Sequence, residues 1–395
     1  MSATANPRDG LPPRAGENSL GWTEAKRVTL ATADQPFVLF SGEKISPVTV
    51  EYEDYGPADA DKVILICHAL TGDAHVAGWD RHWRRDNRPW RENAPGWWDN
   101  VIGPGKALDT NRYRVICSNV LGSCYGTTGP ADVNPATGRP YGLSFPIVTI
   151  PGWVKLQKAL MDALGVKKLY AVIGGSLGGQ QALEWALAYP GFVERTVVLA
   201  AAARLSAQGL GFNAVGRFAI MNDPHFNHGD YYDGEPPRAG LAAARMLAHI
   251  TYLSEESMHQ KFGRRLQGHD ELRFGFDAEF QVESYLNHQG QKFVQRFDAN
   301  SYMYITRAMD YYDAAAHWGG GSLVEACRRL DTRMMVVSFS SDWLYPPGEC
   351  RELAMAVGNT GRPVTYVNVP SAYGHDAFLI QTEEVGDLLR HFLEA

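Results

Sequence analysis

The sequence predicts an α/β fold: a mostly parallel central sheet with helices on both faces and a helical lid inserted between two of its strands. Three observations predict it. Short continuous apolar runs, such as Val63 to Cys67 (VILIC) and Val197 to Ala201, have the length and composition of strands covered on both faces. These runs alternate with amphipathic helical patterns, as strands and helices do around a parallel sheet. From residue 204 to about 320 the rhythm stops, then resumes at Met334. The chain has 395 residues, beyond the roughly 250–300 at which one core usually stops growing, so an insertion is expected.

Taken in order, residues 1–25 are rich in Pro and Gly and lack an apolar segment, which predicts a loose N-terminal tail and no secretory signal. The first part of the core is expected over 26–203. Val28 to Leu30 and Pro47 to Tyr52 predict strands, the second alternating apolar and polar like a half-buried antiparallel strand. Val63 to Cys67 and Arg114 to Asn119 predict buried strands. Leu156, Ala159, Leu160, Ala163 and Leu164 mark one face of a helix that Gly165 ends with a left-handed cap. Leu169 to Ile173 predicts a strand, Leu177 to Tyr189 a helix stopped by Pro190, and Val197 to Ala201 the next strand. Residues 204–320 predict the lid. Residues 321–395 predict the second part of the core, with strands at Met334 to Phe339 and Val364 to Val369. A final helix, capped by Thr382, would bury Val385, Leu388, Leu389 and Phe392.

Composition narrows the function. A hydrophobic fraction of 45% with 21% charged residues excludes a largely disordered chain. A net charge of −7 gives no global attraction to nucleic acid or anionic membrane, so neither is expected as a partner. No stretch approaches the ~20 apolar residues of a membrane span. The five cysteines (Cys67, Cys117, Cys124, Cys327, Cys350) form no C-x-x-C and no even framework, which fits a reducing, cytoplasmic address. No metal site is expected, since His225 and His228 share a loop without further ligands. No Walker-type loop or dinucleotide fingerprint occurs, so no permanently bound cofactor is expected.

The sharpest chemical signal is Gly174-Gly175-Ser176-Leu177-Gly178. An apolar strand enters this G-x-S-x-G and an amphipathic helix leaves it, as a turn that lifts a nucleophilic serine above a sheet edge requires. The flanking glycines permit the tight bend. A serine needs a base and the base an orienting acid, in the order Ser, Asp, His. Asp342 follows the strand ending at Phe339, and His375 follows the last strand, both at strand C-termini where open α/β sheets place chemistry. The oxyanion hole is assigned to the amides of Leu177, directly after the nucleophile, and Leu70, in the loop after an early strand. These residues support acyl transfer through a serine ester. Water or another nucleophile would complete the cycle, and the triad alone does not distinguish the two.

Longer segments then carry a resemblance. HALTGDAHVAG (68–78), PGWWDNVIGPGKALDT (95–110), NVLGSCYGTTGP (119–130) and GGSLGGQQALEWA (174–186) resemble the homoserine O-acyltransferase family. So do SAQGLGFNAVGR (206–217), NDPHFNHGDYYDGEPPRAGLAAARMLAHITYLS (222–254), FQVESYLNHQGQKFVQRFDANSY (280–302) and YGHDAFL (373–379). The similarity runs from about residue 28 to 393, through both core and lid.

The resemblance implies an α/β-hydrolase fold with a helical lid, dimeric through that lid. It implies ping-pong transfer of acetyl from acetyl-CoA to the hydroxyl of L-homoserine, on the way to methionine. Ser176 would carry the acyl group, His375 would act as base and acid, and Asp342 would orient it. Asp376 would hold the substrate ammonium, and Arg245 and Tyr252 its carboxylate. Relatives that use succinyl-CoA, or accept L-serine, leave an O-succinyltransferase as the alternative, and a serine esterase or thioesterase as the more remote one. GDAHVAG and NHGDYYDGEPP favour acetyl by resemblance.

Physics supports part of this, because Arg245, His249 and Tyr252 fall on one helix face and a guanidinium grips carboxylate bidentately. The segment 80–93 holds five arginines with Trp83 and Trp90. It reads as a solvated loop partly neutralised by Asp80, Asp86 and Glu92, with contact to CoA phosphates and adenine as the other reading.

Overall fold

The computed structural model describes residue 12 and residues 15–395. The expected tail over 1–25 therefore lies largely outside the described residues. Its described end is not loose: Trp22–Thr23 pair in parallel with Trp79–Asp80, and the Trp79 amide donates to the Gly21 carbonyl at 2.9 Å.

Eight strands form the main sheet: β1 (Lys26–Ala31), β2 (Val48–Tyr55), β3 (Val63–Cys67), β4 (Arg114–Ser118), β5 (Leu169–Gly175), β6 (Val193–Leu199), β7 (Arg333–Phe339) and β8 (Val364–Val369). Their spatial order is β8-β7-β6-β5-β3-β4-β2-β1, parallel from β8 to β4, with β2 and β1 added antiparallel at one edge. The apolar runs explain the burial. Every residue of β3, β4 and β5 is buried, since helices cover both faces.

Helix α1 (Ile150–Ala163) starts at Thr149, whose side chain accepts from the Gly152 amide, and ends before Gly165 at φ +74°. Helix α2 (Leu177–Ala188) follows β5 directly. Between β6 and β7 the described residues hold seven helices and no strand of the main sheet. They are α3 (Ala207–Met221), α4 (Arg238–Tyr252), α5 (Glu255–Lys261), α6 (Gln281–Val294), α7 (Ala299–Asp310), α8 (Ala314–Gly319) and α9 (Leu323–Cys327). Helices α10 (Pro347–Gly358), α11 (Ala377–Ile380) and α12 (Thr382–Glu394) complete the second part.

Two local expectations change. Thr382 is the first residue of α12 and not its cap: Gln381 precedes it without a side-chain cap, its side-chain nitrogen donating instead to the Pro370 carbonyl at 3.4 Å. Strand β2 alternates in sequence, yet its polar face is not in water. Glu51 and Glu53 are each 1% exposed. Arg88 Nη2 and Arg27 Nε reach Glu51 at 2.9 and 3.0 Å, and His75 Nδ1 reaches Glu53 at 2.9 Å, so counter-charge at Glu51 and a hydrogen-bond donor at Glu53, both from distant segments, permit the burial.

The same pairing corrects the reading of segment 80–93 as a solvated loop at two of its arginines. Arg88 and Arg91 are each only 4% exposed. Arg91 pairs with Asp80 at 2.8 Å and with Asp73. Burial alone would raise the Asp73 carboxyl, but Arg91, His75 and Arg88 together hold it down at about 2. Arg84 and Arg85 are exposed and pair with Glu92 and Asp86.

Candidate active site

The site sits where strand order reverses, with β4 on one side of β3 and β5 on the other. Ser176 occupies the bend between β5 and α2 at φ +57°, ψ −126°, a left-handed conformation that a non-glycine residue holds only under constraint from its surroundings. Packing supplies the constraint. A Cβ at Gly174 would collide with the Gly178 carbonyl, and one at Gly178 with the Cys67 carbonyl, so only glycine lets strand, bend and β3 come this close. Ser176 is 7% exposed and lines a cavity of about 40 Å³ with Leu70, Tyr252, Tyr302 and Tyr345. Among the described residues, the amides of Leu70 and Leu177 donate to no other group.

Asp342 and His375 come together from the ends of β7 and β8. His375 Nδ1 donates to Asp342 Oδ2 at 2.8 Å, and both side chains are buried. The other oxygen of Asp342 accepts from the Leu344 and Tyr345 amides at 3.0 and 2.9 Å, which fixes the carboxylate plane. The Tyr345 ring stacks on the imidazole at 5.4 Å. Burial opposes charge on His375, but Asp342 and then Asp376 outweigh it and raise its pKa above 6.5. Its Nε2 is buried and has no hydrogen-bond partner among the described residues, so the structure does not join His375 to Ser176 directly.

The end of α4 is fastened to these loops. Gly374, at φ +72°, packs against the backbone from Tyr252 to Ser254, where any side chain would clash. Ser254 donates to the Ala372 carbonyl, and Trp343 Nε1 donates to Leu253 O at 3.0 Å. Tyr252 consequently lies with its ring 5.9 Å from that of His375. Arg245, two turns earlier, packs over the Tyr252 and Phe293 rings at 5.6 and 4.8 Å. It makes no ion pair or hydrogen bond among the described residues. Asp376 is near enough to His375, Arg245 and Lys261 to feel their charges, though burial prevails and raises its carboxyl. His249 turns away, its Nδ1 3.1 Å from the Tyr285 hydroxyl, and burial with Arg245 and Arg296 nearby lowers its pKa to about 3.

A larger cavity, about 450 Å³, does not contain Ser176 but adjoins its pocket. Ala69 and Arg245 line the larger space, next to Leu70 and Tyr252 in the smaller one. Lys292, Arg296, Trp90, Trp97 and His75 also face the larger cavity. Sequence reasoning assigned none of these a role except Trp90. Arg296 and Lys292 lie within a quoted family segment, but their convergence with residues 69–97 requires the fold. The described residues hold no cluster of three or more metal-ligating side chains, and all five cysteines are unpaired.

Comparison with known proteins agrees with this geometry. The family model of the α/β hydrolase fold matches residues 62–381. A homoserine O-acetyltransferase of Methanohalobium evestigatum is 51% identical over 377 residues, covering 95% of this chain and 74% of that one. The crystal structure of homoserine O-acetyltransferase from Bacillus anthracis superposes with a TM-score of 0.86 at 27% identity, covering 95% of this chain and 99% of that one. The crystal structure of esterase E22 superposes at 0.83 with 31% identity, covering 94% and 100%.

Proposed function

We infer the reaction of this chain from one premise: it belongs to the homoserine O-acetyltransferase family, within the α/β hydrolase fold. It is an acyltransferase that moves acetyl from acetyl-CoA to the hydroxyl of L-homoserine, a step towards methionine.

In this reading His375 Nε2 takes the Ser176 proton as Oγ attacks the thioester carbonyl, and Asp342 steadies the imidazolium. The Leu70 and Leu177 amides hold the oxyanion. CoA leaves as the thiol with the proton from His375, and acetyl stays as an ester on Ser176. Homoserine then enters with its carboxylate at Arg245 and Tyr252 and its ammonium at Asp376. His375 removes the hydroxyl proton, the new ester forms, and Ser176 regains its hydrogen.

The observation that carries this reading over hydrolysis is Arg245, a guanidinium with no ion-pair partner among the described residues at the edge of the serine pocket. A neutral ester needs no such group, while an amino-acid carboxylate does. The likeness to an esterase makes the test specific. CoA release from acetyl-CoA should require homoserine, and exceed release with succinyl-CoA or with L-serine as acceptor. Rapid release without an acceptor, yielding acetate, identifies a hydrolase instead.

Residues 204–320 act in this reading as a lid through which two copies pair. The outward stripe of α3 supports it, with Val215 57%, Phe218 63% and Met221 47% exposed. A cytoplasmic address is supported by the five unpaired cysteines.

A further inference from the structure

We propose that His75 binds the acyl donor, its Nε2 accepting a hydrogen bond from an amide N–H in the pantetheine arm of the thioester; this rests on the acyl-CoA reading above. His75 is 3% exposed and lines the larger cavity. Its Nδ1 faces the Glu53 carboxylate at 2.9 Å, and a carboxylate has no proton to offer, so Nδ1 carries the hydrogen. In the neutral ring Nε2 is then an acceptor. That nitrogen is buried and has no partner among the described residues, an uncommon state for a polar atom.

The ring is not free to turn towards another group. Tyr55 donates to the second oxygen of Glu53 at 2.7 Å, and the same hydroxyl accepts from the Val76 and Ala77 amides at 3.2 and 3.3 Å. The His75 amide donates to Asp73 at 2.9 Å. A hydrogen-bonded frame therefore holds an acceptor at the wall of a cavity that ends beside Ala69 and Arg245, against the serine pocket. A thioester threaded to Ser176 through this cavity brings its arm past His75. The arm carries two amides with N–H groups to donate. Its phosphates are acceptors, and Lys292 and Arg296, which line the same cavity, suit them better.

The test compares His75→Phe and His75→Gln with the parent, using acetyl-CoA, S-acetyl-pantetheine and p-nitrophenyl acetate. The last has no amide and reports the competence of Ser176 independently. His75→Phe should raise KM for both thioesters about tenfold to a hundredfold, with kcat little changed and p-nitrophenyl acetate turnover unaffected. His75→Gln, which keeps an acceptor, should recover part of the loss. A rise in KM confined to acetyl-CoA would overturn the amide assignment in favour of a phosphate contact. An equal loss with all three donors would make His75 structural, and no loss with any would also end the proposal. If the parent reacts with p-nitrophenyl acetate but with neither thioester, the acyl-CoA reading itself has failed.

Discussion

Glu184→Gln should make the protein more resistant to unfolding at alkaline pH while leaving Ser176 competent. Glu184 lies on α2, about two turns beyond the serine. It is fully buried, with one carboxyl oxygen accepting from Trp318 Nε1 at 2.9 Å. Burial pushes its pKa from 4.5 up to about 7. Between those values the unfolded chain has released a proton that the folded chain still holds, so folding loses stability as pH rises through the window. The difference of roughly 2.5 units corresponds to about 3 kcal/mol once both states are ionised. Part of that is already present at pH 5.5, which leaves about 2 kcal/mol to appear between pH 5.5 and 8.5. Glutamine keeps an oxygen for Trp318 and cannot ionise. Urea unfolding of parent and variant at both pH values should therefore show the variant gaining about 2 kcal/mol relative to the parent at the higher pH. Parallel behaviour at both values would refute the reasoning, because it would mean that the carboxyl is as easily ionised inside as outside.

Two further outcomes follow from the charges. If His375 is the base as proposed, acylation of Ser176 should rise with pH through an inflection above 6.5, since only the neutral imidazole accepts a proton and the neighbouring carboxylates hold its own against burial. Asp342→Asn should move the inflection down and slow acylation by roughly 10⁴, and a flat profile from pH 5 to 8 under chemistry-limited conditions would contradict this. Arg91→Met should cost about 3–5 kcal/mol of stability at pH 8, because Asp80 would lose its ion-pair partner and Asp73 its nearest one while both remain buried. That deficit should shrink at pH 5 as the unpaired acids take up protons, a comparison that denaturant melts at the two pH values make directly.

What the sequence made legible follows from how far apart the interacting residues lie. Strands β3, β5 and β7 announce themselves because a strand covered on both faces must be apolar throughout, whatever it packs against. The bend at Ser176 is equally local, needing only glycines within a few positions. The stacking of Tyr345 on His375, the burial of Glu51 and Glu53, and the wall of Lys292 and Arg296 have no local signature. Arg88 is 37 positions from Glu51, and neither residue differs in type from one that faces water. Helix α10 went unread because Pro347-Gly348 opens it, a pair that ordinarily marks a turn, while the Pro also suits a first helical position.

The inward placement of Arg88 and Arg91 changes what kind of object the stretch around them is. Judged by its basic residues, it invites trimming or wholesale neutralisation to curb unspecific adhesion to polyanions. Two of those cations, however, are the counterweights to Glu51, Asp73 and Asp80 in the dry interior. Exchanging Arg84 and Arg85 alters little beyond the isoelectric point; exchanging the other pair removes a keystone beside the cavity that Arg91 lines.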